Sequence, residues 1–522
     1  MLLVFLFLLG VCAFWLGSLL GVMGSFSVLG YDSFVSFVGV VDLVSLGCFF
    51  MLFCCGGVAL LYCFHYFGGG LEGGLLFPLM VWFLGVMGVL VFSGSLLFSL
   101  IFWEYLGLAS FFLILFYSNM SSLRASLITL FASRFGDVSV FAMIMWLSWW
   151  ADFSSFVFGV LYLLVIMTKS ACFPFISWLL EAMRAPTPVS SLVHSSTLVA
   201  AGVWFVLRYG CWGGWLVDVC LVYFCLITII VTGMAAIVFM DLKKIVALST
   251  CNNISWCVLF FVCGDVVLSL LQLVTHGLCK CYLFMSVGDL MCQSGSSQSS
   301  VGVFLGRYSG RFLPVVQGFL VLSLCGLPFL GVFFSKHSFF SMFLYQGGLG
   351  LVLVGLLSLF LSYVYSVRFV LLLLGSIGGS VSGLSSSFVI ICPLVFCGGV
   401  LNYFVDLLGV EVVGFSVLSS WVILGVQVLG CFVGWWLYGS WMGSGSWSSL
   451  LWGNEGYVSL CYSQFLKFGL VSVISFYRWE VYLLSKFLGL DIWRWLLFRG
   501  SFFSVSFMIL GLVYVVVLSY VL

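Results

Sequence analysis

Thr168-Lys169-Ser170-Ala171-Cys172-Phe173-Pro174 and, after a short gap, Ala185-Pro186-Thr187-Pro188-Val189-Ser190-Ser191-Leu192-Val193-His194-Ser195-Ser196-Thr197 place a lysine and a histidine inside otherwise apolar sequence, with prolines between them. A charge at bilayer depth costs about 2.5–3.5 kcal/mol on insertion scales. Ionisable residues so placed are, by default, a site for moving charge.

The surrounding chain has the composition of a membrane protein. Of its 522 residues 64% are hydrophobic and 6% charged, whereas soluble domains carry about 25% charged residues. A net charge of +1 gives no reason to expect a nucleic-acid partner. The first cationic residue is Arg124, so the N-terminus lacks the basic start of a secretory signal and the arginines of a transit peptide. The expectation is insertion at the site of synthesis, or a first span acting as an uncleaved signal. Usage is skewed towards Phe (57), Gly (59), Cys (20) and Trp (20), and away from Pro (7) and His (4). The favoured residues have codons rich in T and G, the pattern of a strand-biased organelle genome. That bias accounts for the cysteines without chemistry. No Cys-x-x-Cys occurs, and the close pairs Cys54-Cys55 and Cys279-Lys280-Cys281 lie in or beside apolar runs. No metal, Fe–S or disulfide site is expected on this chain.

Spans need about 20 apolar residues. About fifteen runs qualify: 1–21, 38–64, 75–95, 96–117, 124–150, 156–178, 187–208, 215–239, 242–263, 265–291, 312–340, 349–374, 387–408, 414–438 and 502–522. Only helices or closed barrels span a bilayer, and these runs are too long for barrel strands. The chain therefore reads as an all-α polytopic membrane protein with about fifteen transmembrane helices. Loops after even-numbered spans hold Arg124, Arg184, Lys243, Lys244, Arg307 and Arg311; those after odd-numbered spans hold Arg208, at a span end. The positive-inside rule puts the even loops, the N-terminus and the segment 439–501 on the cytoplasm-equivalent side, the matrix of a mitochondrion, and the C-terminus opposite. Segment 455–500 mixes Trp with Lys and Arg and suits a helix lying along the interface.

The intramembrane ionisable residues are Glu104, Arg134, Asp137, Lys169, His194, His276, Lys280, Lys336 and Arg368. Lys280 follows His276 by one helical turn, so both share a face. Lys169 precedes Pro174, whereas Pro328 precedes Lys336. This mirror order is what inverted repeats with discontinuous helices give. A buried lysine holds its proton less tightly and a nearby carboxylate restores the hold; histidine titrates near neutrality. A mid-membrane row of such groups is a proton relay. Plainer readings compete. Arg134 and Asp137, three apart, can neutralise each other, and Arg208 and Arg368 can snorkel to the interface. Asp241-Leu242-Lys243-Lys244 reads as a solvated loop that sets orientation. Gly68-x-Gly70-x-x-Gly73 has no βαβ context and reads as a loop.

Lys169-Ser170-Ala171 through Ala185-Pro186-Thr187-Pro188-Val189-Ser190 and His194-Ser195-Ser196-Thr197 resemble the signature of the antiporter-like subunits of NADH:ubiquinone oxidoreductase (respiratory complex I), in particular the chain 5 branch. Phe102-Trp103-Glu104, Arg134-Phe135-Gly136-Asp137, Asp241-Leu242-Lys243-Lys244-Ile245-Val246-Ala247, Thr275-His276-Gly277-Leu278-Cys279-Lys280 and Gly326-Leu327-Pro328-Phe329 … Ser335-Lys336 support it, in family order over about 100–370. The resemblance implies two inverted five-helix repeats with discontinuous helices, plus a lateral interfacial helix. It also implies proton translocation in the mitochondrial inner membrane, driven by electron transfer from NADH to ubiquinone elsewhere in the complex. Glu104 and Lys169 would be the coupled carboxylate–lysine pair. His194, His276 and Lys280 would be the connecting relay, with Asp137 included, and Lys336 the exit residue. No cofactor is expected here; FMN and Fe–S clusters would sit on other subunits. Partners would be other complex I membrane subunits, especially the chain 4 homologue, accessory subunits and the lipid bilayer, with no nucleic acid. The implied domains are N-terminal spans 1–74, half-channels 75–210 and 211–374, C-terminal spans 375–440, a lateral matrix-side helix 441–501 and an anchoring span 502–522. The alternative is a subunit of a multi-subunit sodium/proton antiporter. Departures from the pattern are an N-terminus short by about one span, Cys172 where a polar residue is usual, and His337 where an acid usually follows the exit lysine. Beyond about 375 the match fades.

Overall fold

The computed structural model describes residues 24–29, 37–68, 70–150, 156–210, 214–295, 297–298, 300–302, 304–305, 312–327, 331–346, 348–375, 377–378 and 417–439, with scattered positions between 463 and 479. The expected spans 1–21, 387–408 and 502–522 lie outside the described residues, as do Pro328, Arg307 and Arg311. In apolar surroundings a backbone must satisfy its own N–H and C=O groups, and the long apolar runs do so as helices: α1 Leu43–Tyr66, α2 Leu71–Phe92, α3 Leu96–Leu115, α4 Met120–Trp150, α5 Phe156–Lys169, α6 Ser177–Ala182, α7 Thr187–Ser195, α8 Leu198–Tyr209, α9 Trp215–Val238, α10 Leu242–Val262, α11 Val266–Gln293, α12 Phe312–Cys325, α13 Phe333–Gln346, α14 Leu349–Leu374 and α15 Val417–Gly439. Among the described residues ten helical stretches are long and apolar enough to cross a membrane, α7 and α8 together counting as one.

Discontinuity marks three places. The run 156–178 divides at 170–176 into α5 and α6, and the run beginning at 312 divides into α12 and α13. The third break, at Ser196-Thr197 between α7 and α8, has no proline or glycine to announce it. Hydroxyls make it: the Thr197 Oγ1 donates to the Leu192 carbonyl at 2.9 Å, and the Ser195 hydroxyl donates to the Ser191 carbonyl. Side chains that bond nearby carbonyls compete with the helical ladder. In each of the sets Leu71–Tyr209 and Trp215–Leu374 the fourth of five spans is discontinuous. Five is odd, so the second set starts from the opposite face of the membrane to the first, which is the inverted arrangement.

The span expected from 38 begins later. Residues Phe37–Val41 form a strand (β2) antiparallel to Gly24–Leu29 (β1), with Ser25 opposite Val40 and Ser27 opposite Val38. Helix starts at Leu43 because Asp42 and Ser45 cap it, the Ser45 Oγ lying 2.7 Å from both the N and O of Asp42. A polar pair at the edge of an apolar run is an N-terminal signature.

Burial ranks the helices. The stretch α7–α8 is buried almost throughout and α10 nearly so, whereas α2 is largely exposed. The polar break elements therefore sit at the centre and the plain apolar helices at the rim. Rim side chains such as Leu75, Phe131 and Trp215 are exposed, as a lipid-facing surface requires. The positions described between 463 and 479 belong to a second compact unit; they are helical and mostly exposed.

Candidate functional site

The first break delivers Lys169. It is the last residue of α5, 1% exposed, and its Nζ lies 3.6 Å from the Asp137 Oδ1 on α4. Asp137 is buried, with its Oδ2 3.4 Å from the Arg134 guanidinium one turn away. Arg134 in turn reaches the Glu104 Oε2 on α3 at 3.8 Å. Four groups of alternating sign thus run from half-exposed Glu104 to dry Lys169. The sequence reading paired Lys169 with Glu104; the direct partner is Asp137, and Glu104 stands two steps away behind Arg134. Arg134 and Asp137 do neutralise each other, as the plainer reading had it, but as the middle of this chain. Gly136 permits the contact: a Cβ there would strike the Thr168 Oγ1, so any side chain would push α4 away from α5. The Trp103 ring faces the Lys169 ammonium at 5.1 Å.

The backbone freed by the break is reused. Trp178 Nε1 donates to the Thr168 carbonyl at 2.9 Å, and the Cys172 N–H reaches the Met167 carbonyl at 3.1 Å. Cys172 fills the polar position after Lys-Ser-Ala, its Sγ 3.1 Å from the Ser170 Oγ and 3.9 Å from the Ser255 Oγ of α10. Ser255 also meets the Thr228 Oγ1 at 2.6 Å. The first break is therefore wired to the central helix through hydroxyls and a thiol.

His194 sits beside the α7–α8 break, 1% exposed, between the rings of Trp178 (6.5 Å) and Phe284 (6.1 Å). Its Nδ1 has no hydrogen-bond partner among the described residues. Gly277 of α11 lies against the Ser195 carbonyl at the same break; His276 is its neighbour in sequence. His276 is fully buried, and neither ring nitrogen has a hydrogen-bond partner among the described residues.

Lys280, one turn on, donates to the Ser249 hydroxyl and at 3.3 Å to the Val246 carbonyl, both on α10. The Trp256 ring of α10 faces Lys336 at 5.6 Å. Ser249 and Trp256 are two turns apart on one face, so the two lysines address the same stripe roughly 10 Å apart. Lys336 begins the second half of the second broken helix and bonds back to the end of the first half, at 2.7 Å to the Cys325 carbonyl and 3.4 Å to that of Leu324. Helix C-termini favour cations because their last carbonyls are unpaired. Gly326 makes the bend at φ +95°, a conformation that suits glycine alone. Ser335 donates to the Gln272 Oε1 at 2.9 Å, one turn before His276, closing the link between Lys336 and α11.

Three basic residues act otherwise than expected. Arg208 does not snorkel: it pairs with Asp42 and donates to the carbonyls of Ser93 (3.3 Å) and Val40 (3.2 Å), pinning the hairpin to α8. Arg368 is buried and donates to the carbonyls of Ala236 (3.3 Å) and Phe239 (3.1 Å), capping α9. Lys243, read as loop, is 5% exposed and donates to the Ala185 carbonyl at 3.4 Å, beside the proline string; Lys244 is the solvated one, paired with Asp241 at 3.6 Å. The difference is helical phase, which the four-residue cluster alone does not reveal. A buried carboxylate on α11, Asp289, also escaped the sequence reading, because it lies near the span end in apolar sequence.

Residues 93–362 match the family described as NADH:quinone oxidoreductase/Mrp antiporter, TM, a match over more than half of the chain. NADH-ubiquinone oxidoreductase chain 5 of Locusta migratoria is 35% identical over 308 residues, 52% of this chain and 52% of that one. Its namesake in Anopheles arabiensis is 37% identical over 275 residues, 49% of this chain and 71% of the relative. The match spans about half the length of most such relatives, as with Locusta. Among solved structures, the Mrp complex from Dietzia sp. DQ12-45-1b shares the fold, with a TM-score of 0.70 at 23% identity, over 91% of this chain and 58% of that one. The site residues from Glu104 to Lys336 all fall inside the matched region, and the chain belongs to the NADH:quinone oxidoreductase/Mrp antiporter membrane family, whose chain 5 members it resembles.

Proposed function

We propose that this chain is a proton-translocating membrane subunit of the mitochondrial NADH:ubiquinone oxidoreductase. The observation that carries the reading is the chain Glu104–Arg134–Asp137–Lys169, which ends on a buried ammonium at a helix break. Arg134 is shared between two carboxylates. When it leans towards Asp137 it cancels part of the field that holds the proton on Lys169, and when it leans towards Glu104 that field is restored. Removing a counter-charge from a buried ammonium favours discharge. The position of one guanidinium therefore bears on how firmly Lys169 holds its proton. His194, His276, Lys280 and Lys336 carry the proton across the midplane, joined by water at the polar atoms that lack protein partners. Redox energy comes from flavin and Fe–S chemistry on other subunits; this chain supplies ionisable groups. The chain 4 homologue completes its setting, and the segment 441–501, expected to be a lateral helix, lies almost wholly outside the described residues.

In the assembled enzyme, Lys169→Met should retain assembly while reducing pumping and coupled NADH oxidation. Unchanged pumping would remove Lys169 from the relay. The likeness to the Mrp complex supports a second reading, a subunit of a sodium/proton antiporter without a redox partner. Copurification separates the two: flavin and Fe–S subunits accompany the chain in the first case and are absent in the second.

A further inference from the structure

Where α1, α7, α10 and α11 meet at the end of the bundle that carries Arg184 and Lys244, a second set of titratable side chains lies apart from the midplane row. His65 Nε2 on α1 is 3.2 Å from the Asp289 Oδ1 on α11. The His65 side chain is 42% exposed and that of Asp289 only 7%, so the pair runs from wet to dry. One turn before His65, the buried Tyr62 hydroxyl is 3.4 Å from the Thr187 Oγ1. Thr187 opens α7, and His194 follows two turns deeper, roughly 10 Å along the axis. The other titratable neighbours are Tyr66 on α1, Tyr117 after α3, Lys243 on α10 and Cys292 on α11, with Glu72 of α2 within reach of Tyr117. Burial pushes the Tyr117 hydroxyl up, so it serves as a neutral hydrogen-bonding group.

A chain with 16 acidic residues in 522 does not bury one cheaply. If the contact only tied α1 to α11, a neutral pair would do so at lower cost. A half-exposed imidazole hydrogen-bonded inward to a buried carboxylate is instead suited to a proton-collecting step. We infer that His65 and Asp289 form a proton port on the basic side of this chain, feeding Tyr62, Thr187 and then His194; this rests on the proton-translocating reading above. The step balances. A hydronium ion from solvent gives a proton to the Nδ1 of the neutral ring and leaves as water, and the ring releases its Nε2 proton to the Asp289 carboxylate. Asp289 becomes a neutral acid and His65 stays neutral with its tautomer reversed. The acid then passes the proton inward through hydroxyls and water, and the ring resets when solvent takes the Nδ1 proton and returns one to Nε2, with no net proton moved.

The test uses the intact complex in liposomes with its basic side accessible, comparing Asp289→Asn, His65→Gln and Lys169→Met with wild type. Both port variants preserve shape and hydrogen bonding. NADH-driven proton uptake should be several-fold slower in each. The deficit should widen as the pH on that side rises from about 6 to about 9, and imidazole or formate, small proton carriers, should partly restore the rate. Uptake equal to wild type at every pH would overturn the port, and so would a loss that neither pH nor carrier moves, which is the mark of a structural tie. If the port variants behave as wild type while Lys169→Met stops pumping, the port alone fails. If Lys169→Met pumps normally, the underlying relay reading fails and the port with it.

Discussion

Lys169 shows how narrowly a membrane interior tolerates an ion. At the 3.6 Å separation of Lys169 and Asp137 the attraction is about 4 kcal/mol for an effective dielectric near 20. Desolvation costs several kcal/mol for each ion, so the pair does not sustain itself. Arg134 and Glu104 extend it to a neutral set of four that reaches half-exposed ground. Asp137→Asn should therefore cost about 3–5 kcal/mol, the penalty for leaving a buried charge unpaired, seen as a lower thermal midpoint of the purified complex. Combining Lys169→Met with Asp137→Leu should recover most of that stability and none of the pumping. A double variant no more stable than Asp137→Asn would show that the pair is not the strained element. Lys169 is legible in the sequence unaided, because a lysine beside a proline in an apolar run serves packing poorly and charge transfer well. Its partner was not legible. Glu104 and Asp137 are both carboxylates within spans, and the choice between them is made by Gly136 packing on Thr168, a contact between helices that no periodicity encodes.

Elements divide by whether their cause is local. The breaks at α5–α6 and α12–α13 were readable from Pro174 and Pro328, which disrupt a helical ladder by chemistry. The α7–α8 break was not, since it depends on serine and threonine hydroxyls choosing backbone carbonyls over other partners. The hairpin β1–β2 was hidden because Val38, Val40 and Val41 suit an apolar span as well as a strand, and Arg208 settles the matter from far along the chain. At the second broken helix the cap and the chemistry coincide in Lys336, which permits a clean separation. Lys336→Met leaves the Leu324 and Cys325 carbonyls without their donor, at about 1–3 kcal/mol for each unsatisfied group, and should lower both assembly and pumping. Lys336→Arg keeps a cation at the helix end but does not release its proton; native gels should show assembled complex with pumping still reduced. Full pumping in the arginine variant would make Lys336 a cap and nothing more. Gly326→Ala, at φ +95°, should destabilise by about 1–3 kcal/mol in thermal denaturation of the complex.

For the molecule as a whole the decisive property is direction, and two native cysteines report it. Cys263 follows α10 and Cys292 closes α11, so the helix Val266–Gln293 separates them. Twenty-eight residues at 1.5 Å each hold them about 40 Å apart, which is a bilayer and its headgroups. The positive-inside rule, applied to loop arginines and lysines alone, puts Cys292 on the cytoplasm-equivalent side with Lys243 and Lys244, and Cys263 on the other. Cys292 is exposed and should react with a membrane-impermeant maleimide offered from the cytoplasm-equivalent side. Cys263 should react only from the opposite side, and slowly, because burial and then the nearby Asp265 carboxylate push its thiol up to about 12. The thiolate is the nucleophile, and a thiol titrating that high is almost wholly protonated near neutrality. Its labelling should therefore climb about tenfold for each pH unit up to the alkaline limit of the membrane, while sidedness stays fixed. Serine replacements at the two positions identify the labelled thiol by mass. The reverse pattern, Cys263 labelled from the cytoplasm-equivalent side, would invert every span between Leu43 and Leu374. The His65–Asp289 pair, at one end of the bundle, would then lie on the opposite side of the membrane, and the port would open away from the cytoplasm-equivalent side.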